Sequence, residues 1–126
     1  MKVKDYKELL IWQQGIEIVD KLYSITKIFP GTEIHGLTNQ IRRAAVSIPS
    51  NIAEGFMRQH TKEFSQFLRI ALGSYAEIDT QLTISKRQGY ISDALFEELT
   101  RMINQEMRMI MGLLKNLKIN LPTTNH

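Results

Sequence analysis

The chain has 126 residues, 43% of them apolar, with a formal net charge of +3 and a pI of about 9.3. Such a length and apolar content suit one domain with its own core. Cysteine is absent, which excludes disulfides, zinc–thiolate sites and thiol catalysis, while the mild positive charge permits a polyanionic partner without requiring one.

The opening MKVKDYKELLIWQQ is basic but has neither the apolar core nor the small-residue cleavage site of a signal peptide. No apolar run approaches the roughly 18 residues of a membrane span. The expected compartment is therefore the cytoplasm, with no membrane partner.

Asp5 is a good N-cap, and Glu8 stands three residues later in a capping-box arrangement. From there the spacing predicts a first helix to about Ile28. Leu9, Trp12, Ile16, Val19, Tyr23 and Thr26 form a heptad seam. Ile11, Ile18, Leu22, Ile25 and Phe29 form a second stripe beside it. Together they are wider than one partner helix needs. Either the helix is buried between two neighbours of its own bundle, or the second stripe meets another subunit. On the second alternative, Trp12, Ile11 and Ile18 are candidate interface residues, and such wide apolar faces mark association.

Pro30 and Gly31 end this helix, and a short polar link follows. The spacing then predicts a second helix over 37–58. Leu37, Ile41, Ala44, Ala45, Ile48, Ile52 and Phe56 recur at steps of three and four. Pro49 stands inside that stripe, where a missing N–H and a ring crowding the carbonyl of Ala45 predict a kink. Ser47 and Ser50 flank it and are placed to serve freed backbone groups. A break at Pro49 with a restart capped by Asn51 is the alternative, but the stripe keeps its phase through the proline. Ala44, Ala45, Ala53 and Gly55 are small enough to admit close neighbours.

Thr61 is the expected cap of a third helix, with Glu63 in its first turn and Lys86 and Arg87 in its last. Its core face is Phe64, Phe67, Leu68, Ala71, Leu72, Tyr75, Ile78 and Leu82. Gly73, in mid-helix, costs about 1 kcal/mol against alanine, and close helix contact is the expected compensation. Gly89 stops the helix and Ser92 caps a fourth, which runs to about Lys118 on Leu95, Leu99, Met102, Ile103, Met107, Ile110, Leu113, Leu114 and Leu117. Met109 falls off that stripe and is expected at a partner surface.

No segment alternates with the period of a strand. Long helices with short links predict an all-α fold, an antiparallel up-down-up-down four-helix bundle kinked at Pro49. The bundle is expected over residues 1–118, with a disordered polar tail over 119–126.

Adjacent arginines Arg42 and Arg43 point about 100° apart on a helix. One is expected to bond within the chain and the other to face solvent. Arginine's planar fork suits phosphate, so Arg42, Arg43, Arg58 and Lys62 are the candidate nucleic-acid-binding residues. Equal heights on either side of the turn near 61 predict a structural ion pair between Glu54 and Arg69. The histidines His35, His60 and His126 lack carboxylates at metal-ligand spacing. No serine has a histidine nearby to activate it. No metal, cofactor or catalytic residue is expected, and the chain reads as a non-enzyme.

Three runs carry a family resemblance: YKELLIWQQGIEIVDKLYSITKIFP at 6–30, IRRAAVSIPSNIAEG at 41–55 and FLRIALGSYAEIDTQL at 67–82. They resemble the bacterial four-helix-bundle proteins, also called ribosomal large-subunit RNA intervening-sequence proteins or S23-like proteins. The resemblance extends from Tyr6 to about Leu114. It implies the same bundle. It also implies kinship with the accessory proteins of diversity-generating retroelements, hence a homopentamer that contacts RNA or DNA and a nucleic-acid enzyme. No reaction follows from it. Two functions remain open: an oligomeric nucleic-acid-associated module, and a homo-oligomeric protein-interaction scaffold that binds no nucleic acid.

Overall fold

A computed structural model of the chain describes residues 3–119. Four helices dominate it: α1 (Leu10–Thr26), α2 (Leu37–Met57), α3 (Thr61–Arg87) and α4 (Asp93–Ile119). Short 3-10 turns at Tyr6–Glu8 and Gly31–Glu33 precede α1 and α2, and no strand occurs among the described residues. The expected polar tail lies outside those residues, apart from its first position.

The Asp5–Glu8 capping box forms, but it caps the first 3-10 turn rather than α1. Leu9 then takes an extended conformation, so α1 starts later than the spacing predicts. Glu33 supplies the start of α2, its Oε1 accepting from the Leu37 N–H at 3.1 Å. A Cβ on Gly36 would lie 2.5 Å from that oxygen, so a larger residue there would push the Glu33 carboxylate off its bond to Leu37. The Tyr90 hydroxyl donates to the other Glu33 oxygen at 2.9 Å and ties the α3–α4 link to this corner. That bond, first among the causes, pushes the Tyr90 phenol above its ordinary pKa.

Helix α2 runs unbroken through Pro49. Around the proline, the Asn51 amide donates to the Ser47 carbonyl at 2.6 Å, and the Ser47 hydroxyl to that of Ala44 at 2.6 Å. Helix α3 begins at Thr61 itself with His60 as N-cap and no side-chain cap bond, which corrects the expectation for Thr61. Its end is as expected. Gly89 has φ +80°, the Tyr90 N–H reaches the Ser85 carbonyl at 2.9 Å, and the Gly89 N–H reaches that of Lys86 at 3.0 Å. This is a Schellman closure, which a residue with a Cβ adopts only with strain. Ser92 caps α4 by accepting from the Leu95 N–H at 3.1 Å.

Each helix packs on the next, and α4 returns to α1. Joining pairs run in opposite sense along neighbouring helices: Thr26 with Arg42 and Gly15 with Ile48, Ser47 with Ser74 and Gly55 with Phe67, Tyr75 with Glu106 and Lys86 with Asp93. These are the contacts of a bundle around one core. Leu22, Ile41, Ile52, Leu68, Tyr75, Ile78, Leu82 and Ile110 reach 0% exposure there. Burying each such side chain contributes about 1.5–3 kcal/mol.

Three packing expectations change. The stripe of Ile11 and Ile18 is the core-facing one, with exposures of 5% and 3%, so both side chains are spent on the chain's own core rather than offered to another subunit. The heptad seam flanks it, half-buried at Trp12, Ile16 and Val19. Gly73 is exposed with open space beside it, and the close contact occurs instead at Gly55, whose Cβ would meet that of Phe67 at 2.6 Å. Met109 packs against the core edge, and the exposed methionine of α4 is Met111.

Candidate functional site

Arg42 and Arg43 diverge as helical geometry requires. The Arg42 guanidinium folds back on the end of α1. Its Nε donates to Thr26 Oγ1 at 2.9 Å, its Nη2 to the Tyr23 carbonyl at 3.3 Å, and it stacks 4.7 Å from the Tyr23 ring centroid. A cation here satisfies a carbonyl at a helix C-terminus. Arg42 is therefore committed to the fold.

Arg43 is exposed and forms no ion pair among the described residues. It stands where two open grooves meet. One, of about 680 Å³, is lined by His35, Asn39, Gln40, Ser47, Ser74 and Glu77. The other, of about 590 Å³, is lined by Tyr23, Asn39, Arg42, Val46 and Ser47. Amides and hydroxyls thus surround the guanidinium, with the Ser47 and Ser74 hydroxyls bonded to each other at 2.7 Å. Glu77 adds a carboxylate, so the first groove is mixed rather than uniformly basic.

Arg58 caps the other end of α2, about 22 Å from Arg43 along the axis at about 1.5 Å per residue, and Lys62 lies beyond it in the first turn of α3. The four cations therefore do not converge within one chain. Arg58 is already neutralised, 3.0 Å from Glu54, 3.8 Å from Glu63 and 5.2 Å from the Phe67 ring centroid. This corrects the expected Glu54–Arg69 pair: Glu54 turns to Arg58 one helical turn on, and Arg69 is exposed. Equal height on two helices did not bring them together, because Arg69 lies on the outer face of α3. Lys62 is exposed and unpaired among the described residues.

An apolar groove of about 300 Å³ runs between α1 and α2, lined by Tyr6, Trp12, Ile16, Val19, Val46, Pro49, Ser50 and Ala53. Tyr6 meets Trp12 edge-on at 5.5 Å between ring centroids. Among the described residues, no group of three histidines or carboxylates could hold a metal, and no helix is long and apolar enough to cross a membrane.

Glu106 is a site residue outside those expected from spacing and charge. Its side chain is 0% exposed in the middle of the bundle. The Tyr75 hydroxyl donates to its Oε2 at 3.0 Å, while its Oε1 has no partner among the described residues. Burial raises the Glu106 carboxyl from 4.5 to about 7, against the opposing pull of the Tyr75 bond. Burial, then the adjacent carboxylate, pushes the Tyr75 phenol far above its ordinary value. The signal was present: Glu106 falls in step with Leu99, Ile103 and Ile110 on the inward stripe.

The family model of the 23S rRNA-intervening sequence proteins matches residues 7–112. The chain belongs to that family. Its fold is similar to the crystal structure of a protein of unknown function from the S23 ribosomal protein family of Bacteroides thetaiotaomicron. The TM-score is 0.78 at 21% identity, covering 84% of this chain and 96% of the other. Among curated proteins no match is found.

Proposed function

We propose that this intervening-sequence protein is a non-enzymatic, oligomeric module that associates with RNA or DNA in the cytoplasm, beside a protein partner such as a nucleic-acid enzyme. The observation that supports this reading is Arg43, an exposed guanidinium without an acidic partner, set among the amides and hydroxyls of Asn39, Gln40, Ser47 and Ser74. A phosphodiester meets there a bidentate donor and the amide donors of Asn39 and Gln40. Lys62 is a second contact, brought near another subunit's Arg43 by assembly. Arg42 acts in the fold, and Arg58 contributes only by releasing its carboxylates.

Fluorescence anisotropy with a labelled structured RNA and a single-stranded DNA tests this. Affinity is expected to fall steeply with salt, and Arg43→Ala to weaken binding and flatten the salt slope by about one. Arg42→Ala is expected to lower stability by about 1–2 kcal/mol while leaving the slope unchanged. Absence of binding at low salt rejects the reading.

The second reading is a homo-oligomeric scaffold, a pentamer by family resemblance, without nucleic acid. The half-exposed groove at Trp12, Ile16, Val19 and Val46 favours it. Sedimentation that shows only a 14.6 kDa species at micromolar concentration rejects assembly.

A further inference from the structure

The carboxyl of Glu106 is fully buried at a level where all four helices come together. Tyr75 comes from α3, Glu106 itself from α4, and α1 passes it at Gly15, whose Cβ position is 3.5 Å from Oε2. Ile48 and Pro49 of α2 each lie 3.7 Å from that same Cβ position. Among the described residues Tyr75 is the titratable group in contact with the carboxyl, and Gly15, Ile48 and Pro49 beside it carry no charge. No lysine, arginine or histidine pairs with Glu106 among the described residues. One hydrogen bond from a phenol is little compensation for an anion stripped of water, and Oε1 has no partner among the described residues.

We infer that Glu106 is a proton-operated latch: the closed bundle holds it as a neutral carboxylic acid, and its ionisation loosens the packing of all four helices at the Gly15–Tyr75 level. A neutral acid keeps an O–H donor and can be buried among uncharged neighbours. The carboxylate instead draws water or opens its surroundings. The rise from 4.5 to about 7 agrees with this arrangement. The folded state holds the proton more tightly than the unfolded chain. The stabilisation is therefore complete below pH 4.5 and is lost as pH rises to about 7. Across that window the folding equilibrium constant is expected to fall on the order of a hundredfold from this group.

The test is urea unfolding of the full chain at intervals from pH 4.5 to 8, for wild type and Glu106→Gln. Glutamine keeps the shape and a donor but cannot ionise. The difference between the two profiles should therefore show wild type losing stability across the window relative to the variant. Parallel profiles overturn the latch. Should Glu106→Gln fail to fold, Tyr75→Phe serves instead. Removing the bond that favours the charged form should carry the wild-type loss to higher pH, and an unshifted profile overturns the inference equally. A second readout is independent of stability. Infrared spectra of glutamate-labelled protein should show a carboxylic-acid carbonyl band at pH 6 that bleaches by pH 8. Its absence at pH 6 sinks the proposal.

Discussion

Gly15 and Gly55 are both buried in helices, yet the space beside them differs. A Cβ at Gly55 would stand 2.6 Å from the Phe67 Cβ and 3.1 Å from the Phe64 ring. The nearer atom is fixed to the α3 backbone and cannot swing aside. Gly55→Ala is therefore expected to destabilise by about 1–3 kcal/mol through overpacking. At Gly15 the nearest atom is 3.5 Å away, an ordinary contact. Gly15→Ala is expected to stay within about 1 kcal/mol of wild type, because helix propensity offsets a slightly tighter fit. Chemical denaturation of the pair checks the contrast, and equal losses would show that α3 can retreat from α2. The same scale explains the arginines. Two adjacent helical positions diverge by about 100°, so one guanidinium meets Tyr23 and Thr26 while its neighbour meets solvent.

Helix ends show which capping signals in a sequence are used. Ser92 and Thr61 both precede acidic first turns and read alike as caps. Ser92 accepts from the Leu95 N–H at 3.1 Å, whereas Thr61 is itself the first residue of α3 and its side chain caps nothing. Ser92→Ala is accordingly expected to cost about 1 kcal/mol, and Thr61→Ala no more than a few tenths. Thermal melts of both variants distinguish the two. The difference arises upstream: Gln59, at φ 62°, turns the chain so tightly that His60 takes the cap position. In α1 the two stripes were both visible, but periodicity alone cannot rank two adjacent faces of one helix. Packing ranked them, placing Ile11 and Ile18 inside and leaving Trp12, Ile16 and Val19 on the flank.

At the scale of the molecule, each of the four helices buries its stripe against two neighbours, so none has a core of its own. Far-ultraviolet circular dichroism, which follows all helices, and Trp12 fluorescence, which follows the α1–α2 flank, should therefore report one coincident unfolding midpoint. Separate midpoints would mean that α1 detaches alone. The steps of three and four by themselves determined the helix count, the links and most of the buried face, because burying an apolar stripe dominates the energetics and its period is written residue by residue. Absence of cysteine excluded disulfide and thiol chemistry in the same direct way. Only the tertiary structure decided what depends on lateral neighbours. It gave Arg58 rather than Arg69 as the partner of Glu54, Gly55 rather than Gly73 as the point of closest approach, and it separated Arg43 from Lys62. It also enclosed Glu106, whose position on the stripe was legible while its environment was not. The reason is physical: spacing along one helix fixes the direction in which a side chain leaves it, while the charge, dielectric and room it meets are supplied by three other helices distant in sequence.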